Sequence, residues 1–160
     1  MKSVLVLLFS CLTILPLEAQ KLIDAKATRQ TKALYANLKR ISGQGIMFGH
    51  QDDDAYGVGW NEEEGRSDVK SVTGSYPAVH GFDLGHIEIG KSENLDRVRF
   101  DNMRRWIVAA YKRGGVVTVS WHGNNPVSKG NTWDKTPAMK EILPGGTHHT
   151  VFLGQLDLLA

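Results

Sequence analysis

GIMFGHQDD, residues Gly45–Asp53, is a short apolar run that ends abruptly in polar residues. Bounded in this way, it reads as a buried strand. An open nucleotide-binding sheet carries its glycine fingerprint after the first strand, on the turn that meets a phosphate. Here Gly43 and Gly45 come before the strand and HQDDD comes after it. That order favours a (β/α)8 barrel over an open doubly wound sheet.

Upstream, Thr31, Leu34, Tyr35, Leu38 and Ile41 recur at helical spacing, and the glycines follow where a helix would stop. Downstream, the polar loop AYGVGWNEEEGRS leads to a short helical stretch around Asp68–Val72, and a second strand lies within YPAVHGFDLGHIE, Tyr76–Glu88. Met103, Trp106, Ile107, Ala110 and Tyr111 mark a helix with one buried face, closed by Gly114 and Gly115. GGVVTVSWHGNNP, Gly114–Pro126, is the third strand, and Val151, Phe152, Gln155, Leu156 and Leu159 are spaced for a further helix within His148–Ala160. Strand starts recur at roughly 30 to 40 residues, the length of a βα unit with its crossover helix. A full barrel takes roughly 250 residues and eight strands. The expected architecture is therefore α/β, an incomplete (β/α)8 TIM barrel comprising the first three βα units. Its strand edges and inner apolar faces would lie open.

The chain has 160 residues, 41% of them hydrophobic and 22% charged, which is ordinary globular composition. Its 19 basic and 17 acidic residues are dispersed, so no basic stripe suited to nucleic acid is present. Residues 1–20, MKSVLVLLFSCLTILPLEAQ, combine Lys2, an apolar run from Val4 to Leu17 and Ala19 at a plausible cleavage point. They read as a signal peptide, which leaves 21–160 as one domain and predicts a secreted or periplasmic protein. The run is too short for an integral membrane span, which needs roughly 20 apolar residues. Cys11, the one cysteine, lies inside it, so the mature chain would form no disulfide. Bulky Phe9 and the apolar residues after Cys11 argue against a lipid anchor there.

The C-terminal ends of barrel strands carry the active face. Here they offer His50, Gln51, Asp52 and Asp53, then Asp83, His86 and Glu88, then Trp121, His122, Asn124 and Asn125. His50, Asp52, Asp53, His86 and Glu88 include the ligand types a divalent metal takes, but their spacing matches no standard zinc motif, and adjacent aspartates at a loop start more often are solvated or cap a helix. No metal is expected. Glu62, Glu63 and Glu64 read as a solvated loop, and His148 and His149 carry no specific signal. Trp121, His122, Asn124, Asn125 and Trp133 form a mixture that suits a sugar: indole faces cover pyranose C–H surface, while amide and imidazole groups bond its hydroxyls. A buried core Trp and a structural His are the competing reading.

ALYANLKRISGQGIMFGHQDD, YGVGW, YPAVHGFDLGHIE, GGVVTVSWHGNNP followed by TWD, and ILPGG together resemble glycoside hydrolase family 26, from about Thr31 to Ala160. Its best-known members are secreted bacterial endo-β-1,4-mannanases, and others act on β-glucan or β-xylan. The resemblance implies a (β/α)8 barrel that cleaves β-mannosidic bonds with retention, without a cofactor. Two glutamates would serve, one as acid and base after a Trp-His pair on the fourth strand, the other as nucleophile on the seventh. Neither falls among these residues, so no catalytic residue is assigned and this chain alone is expected to be inactive. By resemblance His122 contacts the sugar beside the cleavage point and Trp133 lines that subsite, with Trp121, Asn125, His50 and Trp60 as further substrate-binding candidates. The implied partner is β-mannan or a related β-glycan. Two rivals remain: a non-catalytic β-glycan-binding protein, and a metal-dependent barrel hydrolase.

Overall fold

The computed structural model describes residues 22–160, so the leader read at 1–20 lies outside the described residues. The chain divides into two compact units between Ile46 and Met47.

In the first unit, helix α1 spans Arg29–Ser42 and contains the expected Thr31–Ile41 stripe. Thr28 is extended, and its hydroxyl accepts the Thr31 N–H at 3.1 Å, satisfying one of the donors a helix start leaves free. Lys39 and Arg40 occupy the last turn, where positive charge complements the helix dipole, and Gly43 ends it.

The second unit runs β1 (Gly49–Gln51), β2 (Tyr56–Gly57), β3 (Trp60–Asn61), α2 (Asp68–Thr73), β4 (Val79–Asp83), a 3-10 turn (Ile87–Ile89), α3 (Phe100–Lys112), β5 (Val116–Ser120), α4 (Met139–Ile142) and α5 (His149–Leu159). β1, β4 and β5 form one parallel sheet in that order, with His50 opposite His80 and Asp83 opposite Ser120. Successive parallel strands laid side by side, with no reversal of order, follow the barrel pattern that the glycine placement predicts.

Each strand is shorter than the apolar run that predicts it, for a local reason. Among the described residues β1 has one neighbour, and its ladder runs only from Phe48, whose carbonyl accepts from Val79, to Asp52, whose N–H donates to Gly81. β4 stops at Asp83 because the chain then coils into the 3-10 turn, flanked by positive φ at His86 (79°) and Gly90 (72°). β5 stops at Ser120, the residue paired with the last of β4. The short β2–β3 hairpin and α4 have no counterpart in the sequence reading. Gly59, at φ 78°, makes the hairpin turn possible.

The core lies between sheet and α3. Met103, Trp106 and Ala110 form the buried stripe of α3, and Phe82, Val98 and Ala55 pack with Met103 and Trp106. Burying a side chain of Phe82's size contributes about 2 to 3 kcal/mol. Because strand side chains alternate, a Phe82 directed at the helix sends Asp83 to the other face, at the strand's C-terminal end.

The three consecutive aspartates after β1 are all buried. Asp53 accepts the Val69 N–H near the start of α2 at 3.3 Å, adding to the cap that Ser67 supplies through Lys70 N–H. Asp54 turns back beneath β4, where it pairs with His80 and Arg113. Asp52 stays at the strand end. Among the described residues no group of three His, Cys, Asp or Glu side chains could hold a metal ion, and no helix is long and apolar enough to cross a membrane.

Candidate functional site

The ends of β4 and β5 converge on Asp83, which is 2% exposed. Its Oδ1 accepts the Gly85 N–H at 2.7 Å, and its Oδ2 accepts from Ser120 Oγ and His122 Nδ1, each at 2.6 Å. Burial alone would push this carboxyl up. The bonds from Ser120, His122 and Gly85 outweigh it and hold Asp83 below the ordinary carboxylate range. The turn must be tight for these bonds to form. A Cβ at residue 85 would lie 2.8 Å from Asp83 Oδ1 and 2.9 Å from the His122 carbonyl, so glycine is required there. Asn94 secures the same turn from below: its side-chain amide donates to the Asp83 carbonyl, and its Oδ1 accepts from Asp96 and Val98.

Above this buried anchor, the His122 side chain is 53% exposed. Its ring stacks beside Trp133, with centroids 6.4 Å apart and planes inclined at 20°. Trp133 is 67% exposed, an open indole face beside an imidazole edge. The loop that carries it is braced internally. Asn125 Oδ1 accepts from Val127 and Ser128, its amide donates to the Thr136 carbonyl, and Asn131 Oδ1 accepts the Trp133 N–H. Asp134 is bonded by Ser128 and Thr136, which hold its carboxyl below the usual range. These local turns keep an exposed tryptophan in one place without a hydrophobic core beneath it.

His122 and Trp133 are thus brought together, and the other substrate candidates stand apart from them. Trp121 stacks on Phe152 of α5 at 6.3 Å and donates to Glu88 Oε2 at 3.1 Å. With Asn124, Asn125, Thr132 and Gln155 these two rings line a cleft of about 300 Å³ whose lining does not include His122 or Trp133. Asn125 spends its amide on the loop it belongs to. Trp60 is buried, donates to Asp68 Oδ1 at 2.6 Å and lies under the Arg66 guanidinium. His50 is exposed on β1, with Nδ1 bonded to the Gln51 carbonyl.

Sequence reasoning missed Asn94 and Gly85 altogether and gave Asp83 and Glu88 no stated partner. Glu88 holds Trp121 through one oxygen and the Asn124 N–H, at 2.8 Å, through the other. With Asp83 equally engaged, neither of these two acids keeps a carboxylate oxygen free of protein donors.

Residues 23–160 match the profile of Glycosyl hydrolase family 26. A mannan endo-1,4-beta-mannosidase from Bifidobacterium adolescentis is 34% identical over 141 residues, which are 86% of this chain and 14% of that protein. Among solved structures, a GH26 beta-mannanase from Bacteroides ovatus superposes with a TM-score of 0.80 at 47% identity, covering 83% of this chain and 39% of that one. An endo-beta-1,4-mannanase from Cellulomonas fimi gives 0.72 at 37% identity, covering 85% and 32%. The chain thus spans well under half the length of these relatives, and its three parallel strands form part of their TIM barrel. On the sequence match, and on the superposition of the chain on these mannanases, the chain belongs to glycosyl hydrolase family 26.

Proposed function

We propose that this chain supplies part of the glycan-binding cleft of a retaining endo-β-1,4-mannanase, with a β-mannan backbone lying against Trp133 and His122. The observation that carries this reading is the exposed indole stacked beside an imidazole at a strand end, braced by its own loop. An indole face covers the C–H surface of a pyranose, and the imidazole edge meets its hydroxyls. Retention needs two carboxyl groups roughly 5 to 5.5 Å apart across the scissile bond. Asp83 and Glu88 are committed to holding His122 and Trp121, so the reading assigns binding to these residues and cleavage to none of them.

Titration with mannotetraose, followed by tryptophan fluorescence, tests it. Saturable binding without sugar release is expected. Trp133→Ala is expected to weaken that binding about tenfold, the loss of one aromatic contact worth about 1 to 1.5 kcal/mol. Binding unchanged in the variant, or mannotetraose hydrolysed by the wild-type chain, would overturn the reading.

The leader composition supports export to the periplasm or the medium. Mass analysis of protein recovered from the producing cell is expected to find a mature N-terminus near residue 21. A retained residue 1 in the exported fraction would remove this part of the proposal.

A further inference from the structure

Imidazole has two neutral forms, and which nitrogen keeps its hydrogen decides whether the other donates or accepts. His122 is placed so that the choice is made beneath it. Its Nδ1 lies 2.6 Å from Asp83 Oδ2, and Asp83 is itself fixed by Gly85 N–H at 2.7 Å and Ser120 Oγ at 2.6 Å. Among the described residues Nε2 has no hydrogen-bond partner, and the side chain is 53% exposed, with its ring centroid 6.4 Å from that of Trp133.

We propose that Asp83 is a positioning residue that locks His122 in the Nδ1–H form, leaving the Nε2 lone pair to accept a hydrogen bond from a glycan hydroxyl. An ionised carboxylate only accepts, so the shared hydrogen belongs to His122. The three donors around Asp83 keep it in that state to lower pH than an ordinary carboxylate. The consequence is a selectivity rule. The site takes a sugar whose hydroxyl can donate at that point and disfavours one bearing an ether or a fluorine there, because a lone pair would face a lone pair. This arrangement parallels the way a second-layer carboxylate sets the tautomer of a metal-bound histidine.

The inference rests on the glycan-binding reading, and one experiment separates the two. Nitrogen-15 spectra of the His122 ring are recorded on the 160-residue chain at about pH 8, where an ordinary imidazole is neutral, with and without mannotetraose. In the wild type, Nδ1 is expected to carry the hydrogen, and the Nε2 signal is expected to move on adding mannotetraose. Asp83→Ala is expected to lose the Nδ1–H preference and bind mannotetraose about tenfold more weakly, the cost of one misdirected hydrogen bond. Ser120→Ala, which leaves the Asp83–His122 bond in place, keeps the wild-type tautomer. Nε2–H in the wild type overturns the role of Asp83 with no variant needed, as does Nδ1–H persisting in Asp83→Ala. Nδ1–H with an Nε2 signal indifferent to mannotetraose overturns the glycan contact and counts against the functional reading itself.

Discussion

Asp54→Ala is expected to destabilise the fold by about 3 to 5 kcal/mol, the range measured when one partner of a buried ion pair is removed. Asp54 is 4% exposed, with Oδ2 at 2.5 Å from His80 Nδ1 and Oδ1 at 2.5 Å from Arg113 Nη2. The cluster joins three parts of the chain: the turn after β1, the start of β4 and the residue that caps α3. Arg113 also lies 3.9 Å above the Tyr76 ring, whose hydroxyl donates to the Gly65 carbonyl. Alanine would leave a largely enclosed guanidinium without its counter-ion. It would also strip the Nδ1 contact from a His80 whose Nε2 already has no partner among the described residues. Urea unfolding of the wild type and variant measures the loss. Asp101→Ala is the contrast, since the Arg99–Asp101 pair spans 3.9 Å with side chains 59% and 93% exposed. That change should fall within about 0.5 kcal/mol of neutral, because water already screens the pair. Equal effects of the two variants would mean that the Asp54 cluster is not a stabilising link.

The same three aspartates show what the sequence discloses and what it withholds. Glycine order around β1 and the apolar stripe of α3 are local signals. They lead to the parallel sheet and the barrel, because backbone preference and periodicity act within one segment. Capping is local too, and Asp53 does cap a helix, as adjacent aspartates at a loop start suggest. Solvation of its neighbours is the part that fails. Asp54 is buried because partners 26 and 59 residues away reach it, and no periodicity encodes such a meeting. The site divides in the same way. Trp133, His122 and Trp121 share the residue types that suit a sugar, yet the first two meet at the end of β5 while Trp121 packs on a helix. Residue type alone cannot distinguish an indole facing solvent from one held by Glu88 and Phe152. Asn94 is the clearest omission: an asparagine that gathers two N–H groups and a carbonyl under Asp83 looks in the sequence like any loop asparagine.

Asp52→Asn is expected to stabilise the chain at pH 7 by about 3 kcal/mol and to flatten its stability between pH 4 and 6. Asp52 is fully buried, with Oδ1 lacking any partner among the described residues and Oδ2 3.4 Å from Gln51 Nε2. Burial raises its pKa from 3.8 to about 6. The Gln51 bond lowers it, Asp96 and Asp83 add to the rise, and His50 offsets part of it. Folding therefore favours the protonated acid. Between pH 3.8 and about 6 the folded chain holds a proton that the unfolded chain has released, so stability falls as pH rises through that window and levels off above it. Each pKa unit corresponds to about 1.4 kcal/mol, which sets the size of the expected gain once the charge is removed. Asp83 behaves in the opposite sense. Its lowered pKa contributes stability that is present above its unfolded value and lost as pH falls below it, so the two effects occupy different ranges. Asparagine also suits the backbone, since Asp52 sits at φ 53°, where asparagine is among the best-tolerated side chains after glycine. Urea midpoints of both proteins at pH 4, 5, 6 and 7 give the test. The curves should lie close together near pH 4 and separate steadily to pH 6, and parallel curves would mean that the Asp52 charge is not the cost that burial implies.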